Sequence, residues 1–79
     1  MASGLRIDRL TELRQILTAC PGHIPARCDL AALLEELGQY QDAWSNWKAV
    51  LAADPNSLKA LEGLSRCRSR AGSFLLSGK

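Results

Sequence analysis

The chain repeats itself at a spacing of 34 residues, and this self-similarity limits its fold more than any other feature. After a shift of 34 residues, identical residues coincide at Leu17 and Leu51, Ala19 and Ala53, Pro21 and Pro55, Ala26 and Ala60, Leu30 and Leu64, and Gly38 and Gly72. Residues of similar size and apolar character coincide at Leu13 and Trp47, Ile16 and Val50, Ile24 and Leu58, and Tyr40 and Phe74. A period of this length indicates a supersecondary unit that stacks on a copy of itself.

Between the proline and glycine breaks, apolar residues recur every three or four positions, which predicts helices. The segments with this pattern cover residues 5–19, 24–37, 41–53 and 57–70. Their apolar stripes are Leu10, Leu13, Ile16 and Leu17; Leu30, Leu33, Leu34 and Leu37; Ala43, Trp47, Val50 and Leu51; and Leu58, Leu61, Leu64 and Ser65. No run alternates with the period of two that marks a strand. The sequence therefore predicts an all-α fold of antiparallel helix-turn-helix units.

Turn-forming residues separate the predicted helices. Pro21-Gly22 and Asp54-Pro55-Asn56-Ser57 each end one helix and begin the next. Ser57 is expected to cap the fourth helix, and Pro25 suits the first turn of the second helix, where its missing N–H is not needed. Gly38 is expected to end the second helix in the left-handed conformation, which a β-carbon disfavours.

The central segment combines small and large apolar residues with turn residues at Leu30-Ala31, Gly38-Gln39-Tyr40, Ala43, Trp47, Val50-Leu51 and Asp54-Pro55-Asn56. In this order they resemble the tetratricopeptide repeat, a helical pair that stacks into an α-solenoid. The resemblance implies one domain over residues 1–79. Its parts are a half repeat over 5–23, a full repeat over 24–57, a partial repeat over 58–76 and a tail over 77–79.

The resemblance also implies packing roles. Ala31 and Ala43 let the two helices of the repeat approach closely, and Trp47 fills the space between helix pairs. Arg27 replaces the large apolar residue that is usual near the start of the first helix. Arg68 replaces an aromatic residue, which indicates a last helix that faces water, as in a terminal capping repeat. The residues expected to support the packing are Leu30, Ala31, Gly38, Tyr40, Ala43, Trp47, Leu51 and Pro55.

By resemblance, the chain is expected to be a non-enzymatic protein–protein interaction module, a scaffold or adaptor that binds a peptide or partner protein in an inner groove. The groove positions are Cys28, Ala32, Glu35, Lys59, Glu62, Arg66 and Arg70. One kind of partner is an apolar or basic peptide that lies against Cys28, Ala32 and the carboxylates of Glu35 and Glu36. The other is an anionic group bound by the basic side chains of the last helix. The sequence leaves both open.

Cys20, His23 and Cys28 form the spacing C-x2-H-x4-C, and Cys67 is a candidate fourth ligand. The alternative function is therefore a small thiol or zinc-binding regulatory protein. The spacing matches no common zinc module, and isolated buried cysteines with a turn histidine account for the same residues. His23, the single histidine, has no carboxylate nearby to orient it for thiol catalysis. We predict no enzymatic activity, no cofactor and no metal.

Composition indicates the setting in which the chain works. Three cysteines are an odd number, which fits a reducing compartment. Arg6, Asp8 and Arg9 interrupt what would be the apolar core of a secretory signal, so a cytoplasmic location is expected. No apolar run approaches the roughly 20 residues of a membrane span. Aromatic residues do not alternate with the arginines of the last helix, so nucleic acid is not an expected partner.

The unfinished repeats predict self-association. An array needs about three repeats to be stable alone, because each buries its apolar face on a neighbour. A homodimer or larger homo-oligomer is expected, since two-fold contacts are the commonest way to cover such surfaces. The expected contact residues are Leu10, Leu13, Phe74, Leu75 and Leu76. Trp44 is expected either to join the core or to anchor a partner.

Overall fold

The computed structural model describes the backbone of residues 2–70 and the side chains of residues 6–70. This part of the chain contains no strand and four helices, α1 (Ala2–Ala19), α2 (Ile24–Glu36), α3 (Tyr40–Ala53) and α4 (Leu58–Arg70). The predicted all-α fold is confirmed. The helix ends agree with the predicted ones to within one residue, except that α1 begins earlier. Each helix packs on the next along the chain, and α2 also contacts α4.

The chain leaves α1 and α3 through the same backbone hydrogen bond. The N–H of Cys20 donates to the carbonyl of Ile16 over 2.8 Å, and the N–H of Asp54 donates to the carbonyl of Val50 over 2.7 Å. These two bonds are separated by the 34 residues of the sequence repeat. The matched turn sequences therefore have matched local structures.

The starts of α2 and α4 also correspond. Nδ1 of His23 accepts a hydrogen bond from the N–H of Ala26 over 3.1 Å, and Oγ of Ser57 accepts one from the N–H of Ala60 over 3.2 Å. Each side chain thereby satisfies an N–H group that has no partner within the helix. The predicted cap at Ser57 and the first-turn position of Pro25 are confirmed. His23 caps α2, a role that the sequence analysis did not assign to it.

Gly38 ends α2 as predicted, with a φ of 79°. Its N–H donates to the carbonyl of Glu35 over 3.0 Å, and the N–H of Gln39 donates to the carbonyl of Leu34 over 2.8 Å. This pair of bonds is a Schellman motif, which requires the left-handed conformation at the glycine. The motif reverses the chain and places α3 against α2.

The core contains most residues of the first three predicted stripes. Ala31 and Ala43 are fully buried, and Trp47 is 1% exposed. Ile16 is an exception because it is 37% exposed. Pro55 is also exposed and belongs to the turn before α4 rather than to the core. The buried apolar residues are Leu13, Leu17, Ala26, Cys28, Leu30, Ala31, Leu33, Leu34, Ala43, Trp47, Val50, Ala60 and Cys67, with Leu10, Tyr40, Trp44, Leu51 and Leu64 partly buried against them.

The apolar stripe predicted for α4 is wrong, because the helix turns its small residues inward and not its leucines. Leu58 is 73% exposed and Leu61 is 47% exposed. In the rest of that stripe, Leu64 is half-buried and Ser65 is exposed. The residues that α4 buries are Ala60, Gly63 and Cys67.

Trp47 explains which face of α4 turns inward. Its indole lies so close to Gly63 that a β-carbon at this glycine would overlap the ring. A leucine at this position has no room in an interior that is close-packed. The helix can approach α3 only through a small face, and Ala60 and Cys67 extend that face by one turn in each direction.

Candidate functional site

The predicted groove residues lie on α2 and α4, two helices in direct contact. On α2, Cys28 is buried, whereas Ala32 and Glu35 are half-buried. The four predicted residues of α4 are all exposed. We call this surface the α2–α4 face, and its residues are Cys28, Ala32, Glu35, Lys59, Glu62, Arg66 and Arg70.

Glu35 connects three helices. Its Oε1 accepts a hydrogen bond from Nε of Arg66 over 2.9 Å, and its Oε2 accepts one from Nη2 of Arg66 over 3.1 Å. Oε2 also accepts a 2.7 Å hydrogen bond from Nε1 of Trp47. The Glu35 side chain is 13% exposed and that of Arg66 is 47% exposed. The carboxylate thus holds α4 in a two-bonded ion pair and satisfies the buried indole.

This pairing changes what the α2–α4 face offers to a partner. The hydrogen bond to Glu35 raises the pKa of the Arg66 guanidinium above its ordinary value, so the pair is charged at neutral pH. Both oxygens of Glu35 already accept hydrogen bonds, so a partner would have to compete for them. The sequence analysis placed both residues on one face but did not pair them, because no local spacing rule relates residues 31 positions apart.

Other charged groups on this side differ in their pairing. Glu36 accepts an ion pair from Arg6 of α1 over 3.3 Å, with both side chains about half exposed. Lys59, Glu62 and Arg70 form no ion pair within the described residues. A shallow pocket of about 320 Å³ lies at the end of the face and is lined by Glu35, Glu36, Tyr40, Arg66 and Arg70. The face therefore carries unpaired charge mainly on α4.

A second concave surface lies between α3 and α4 and is more apolar. It has a volume of about 540 Å³, and we call it the α3–α4 groove, lined by Trp44, Leu61, Leu64, Ser65 and Arg68. Trp44 is half-buried at its edge, and Nζ of Lys48 lies 4.5 Å from the centre of its ring. Arg68 is exposed, as its replacement of an aromatic residue predicts. The sequence analysis missed this groove because it assigned Leu61 and Leu64 to the core.

The proposed zinc or thiol residues are not assembled into one site. Cys20 is exposed, whereas Cys28 and Cys67 are buried. Burial raises the pKa of the Cys28 and Cys67 thiols, which disfavours the thiolate that binds metal or attacks a substrate. His23 uses Nδ1 to cap α2. Within the described residues, no three His, Cys, Asp or Glu side chains are arranged to hold a metal ion.

The predicted self-association residues fall in two regions. In α1, Leu10 is half-buried and Leu13 is 1% exposed, because α1 packs on α2. Leu13 is therefore already covered within one chain. The other predicted contact residues, Phe74, Leu75 and Leu76, lie outside the described residues.

Comparison with known proteins adds no relative. No protein-family model matches the chain, and searches of curated proteins and of solved structures found no match. Among the described residues, no helix is both long enough and apolar enough to cross a membrane. Function is therefore argued from the geometry of the surfaces described above.

Proposed function

We propose that this chain is a non-enzymatic protein–protein interaction module built from tetratricopeptide-like helix pairs. The matched hydrogen bonds around residues 20–26 and 54–60 support the repeat interpretation, since they recur at the sequence period. In such an architecture, each helix pair covers its neighbour and leaves surfaces at both ends for other chains. The described cysteines and carboxylates have structural or solvent-exposed positions, which favours a binding role over catalysis.

The observation that carries the proposal is the apolar surface that the described residues leave uncovered on α4. Leu58 and Leu61 are 73% and 47% exposed, and they lie beside the partly buried Trp44 and Leu64. Single exposed leucines are ordinary, but neighbouring apolar side chains around a concave surface are typical of protein contact sites. The tryptophan strengthens this interpretation, because tryptophans are enriched among residues that dominate binding energy.

The α2–α4 face is the proposed site for a peptide. The carboxylates at the end of α2 are already paired with arginines, whereas Lys59 and Arg70 are exposed and form no ion pair within the described residues. The available charge on this face is therefore mainly positive, with Glu62 as its counterpart. Complementary charge favours an acidic peptide over a basic one.

Selection of random displayed peptides on the purified chain tests this proposal. We expect the enriched peptides to be rich in Asp and Glu, and their affinity to fall about tenfold or more when Lys59→Glu and Arg70→Glu are combined. Arg68→Glu is the matched control, because it reverses an exposed charge on the same helix but lines the α3–α4 groove. Two results would overturn the proposal: peptide binding that the double reversal leaves unchanged, or stoichiometric zinc that depends on Cys20 and Cys28.

The α3–α4 groove is the proposed contact between copies of the chain. The apolar run Phe74-Leu75-Leu76 is a suitable occupant from a second copy, since it combines an aromatic and two aliphatic side chains without a charge. The groove supplies complementary apolar surface from Trp44, Leu61 and Leu64. Two such contacts related by a two-fold axis would cover both copies equally.

A further inference from the structure

A third concave surface lies where α1, α2 and α3 meet, away from both surfaces described above. Its volume is about 380 Å³, and it is lined by Arg14, Leu17, Thr18, Arg27, Leu30 and Asn46. We call it the arginine cleft. It contains two guanidinium groups and no carboxylate among its lining residues. The buried side chains of Leu17 and Leu30 give it an apolar floor.

Arg27 is held in a defined orientation in this cleft. Its Nη1 donates to Oδ1 of Asn46 over 2.9 Å, and its Nη2 donates to the carbonyl of Pro21 over 3.1 Å. Asn46 is itself oriented, because its Nδ2 donates to the carbonyl of Asp42 over 2.8 Å. Both acceptors of Arg27 are neutral, so its hydrogen bonds leave the positive charge uncompensated. Of the five N–H donors in a guanidinium group, three remain for another acceptor.

Burial makes this charge informative. Arg27 is half-buried between α2 and α3, at a position where the repeat pattern usually has a large apolar residue. A cation that is partly removed from water without a counter-charge is costly, and proteins normally pair it. Within the described residues, Arg27 forms no ion pair. The charge is oriented and accessible from the cleft.

Arg14 supplies the second charge. It is exposed on α1, forms no ion pair within the described residues, and lines the same cleft as Arg27. The hydroxyl of Thr18, one helical turn further on, donates to the carbonyl of Arg14 over 2.8 Å and leaves its oxygen able to accept. The side chain of Arg14 makes no hydrogen bond that the fold of the described residues depends on.

We infer that the arginine cleft binds one oxyanion group, a phosphate or a carboxylate. Arg27 is the oriented donor and Arg14 the second cation that closes around the oxygens, since the planar guanidinium matches the geometry of both groups. The group comes either from a free ion or from the acidic side chain of a peptide that also contacts the apolar floor. This site is independent of the proposed peptide surface on α2 and α4.

Nuclear magnetic resonance on the whole chain tests the inference, with the side-chain signals of Arg27 Nε and Asn46 Nδ2 as reporters. The probes are inorganic phosphate and three capped tripeptides, Ala-phosphoserine-Ala, Ala-Glu-Ala and Ala-Gln-Ala. We expect saturable shifts with phosphate, the phosphoserine peptide and the glutamate peptide, and none with the glutamine peptide. Arg14→Gln should weaken binding about tenfold, because it removes charged hydrogen bonds.

The control is Arg68→Gln, which removes an exposed charge far from the cleft and should leave the affinities unchanged. Arg14→Gln keeps the test decisive even if Arg27→Gln unfolds the chain, since Arg14 supports no described side-chain contact. Equal effects of Arg14→Gln and Arg68→Gln, or shifts that never saturate, would refute the site. Among the oxyanions, tighter binding of the peptides assigns the source to an acidic side chain, and equal binding of phosphate assigns it to a free ion.

Discussion

Trp47 lies at the centre of the described core, where it contacts Gly63 and donates a hydrogen bond to Glu35. Its ring needs a large volume on α3 and forces small residues on the facing side of α4. Its one polar atom needs an acceptor in a place that water does not reach. Glu35 is that acceptor and also binds Arg66. One side chain therefore explains the small residues of α4 and the partly buried carboxylate of α2.

The first prediction concerns the contact between Trp47 and Gly63. Trp47→Ala should lower the free energy of unfolding by about 3 to 5 kcal/mol, because it empties a buried site. Gly63→Ala should also destabilise, by about 1 to 3 kcal/mol, because the added methyl group overlaps a ring that cannot move away. Chemical denaturation followed by circular dichroism measures both changes.

The controls for that prediction separate local crowding from the general effect of replacing glycine. Gly22→Ala should have a small effect, since nothing lies near a β-carbon at Gly22. Gly63→Ala should be tolerated better in a Trp47→Leu background, where the ring is absent. If Gly63→Ala costs no more than Gly22→Ala, the close packing of α4 on Trp47 is contradicted.

The second prediction is a loss of stability at alkaline pH through Cys28 and Cys67. Burial raises the pKa of both thiols in the folded chain, whereas an unfolded thiol titrates near about 8.5. The folded state therefore keeps a proton that the unfolded state loses. This contribution to stability is fully present below the unfolded pKa and is lost as the pH rises through the folded pKa.

Urea denaturation at a series of pH values above neutrality measures this effect. Cys67→Ala should flatten the decline in stability relative to the unmodified chain. Cys20→Ala is the control and should leave the pH dependence unchanged, because Cys20 is exposed. Stability that rises over the thiol range in proportion to the number of buried cysteines would contradict the prediction.

At the scale of the helices, termini determine where each element begins and ends. α2 and α4 start with a side-chain cap, from His23 and Ser57 respectively, and α2 ends in the Schellman motif at Gly38. These are local interactions between residues two to five positions apart, so they form whichever way the helices pack. They also place α2 and α4 at equivalent points of the repeat.

The third prediction tests the cap of α4. Ser57→Ala should lower the free energy of unfolding by about 1 kcal/mol, because the N–H of Ala60 loses its acceptor. Thermal denaturation compares this variant with Ser69→Ala, a matched replacement at an exposed position later in the same helix. Ser69→Ala should change the stability by less than about 0.5 kcal/mol. Equal losses for both variants would mean that the cap contributes nothing.

At the scale of the whole molecule, the described residues bury one core and leave apolar surface uncovered at the α4 end. A chain of 79 residues has a small core, and covering further apolar area on another copy adds stability that this size does not otherwise provide. Leu58 and Leu61 are the largest such exposures on α4. Self-association is therefore expected to involve the α3–α4 groove more than α1, whose Leu13 is already buried.

The fourth prediction is a homodimer that dissociates on dilution. Sedimentation from low micromolar to hundreds of micromolar concentration should give a mass that rises from one chain toward two. Leu61→Asp, and separately Phe74→Asp combined with Leu75→Asp, should keep the chain monomeric because each places a charge in an apolar contact. Ser69→Asp is the control and should still dimerise. A single-chain mass at every concentration would rule out the dimer.

Much of the local structure was available in the sequence. The 34-residue period, the proline turns, Ser57 and Gly38 predicted four helices and nearly all of their ends. These signals are reliable because capping, turn formation and helical periodicity act between residues that are close along the chain. The inward positions of Leu13, Trp47 and Val50 followed from the same periodicity, since their helices have one dominant apolar stripe.

The tertiary structure decided which face of α4 turns inward and which charged groups meet. Leucines outrank Ala60 and Gly63 in hydrophobicity, but only the small residues fit against Trp47. The bonds from Arg66 to Glu35 and from Arg27 to Asn46 join residues 31 and 19 positions apart. No local rule relates such distances, because the partners depend on how the helices are placed against one another. The sequence thus determined the helices and turns, whereas packing volume and long-range pairing determined the surfaces that are free to bind.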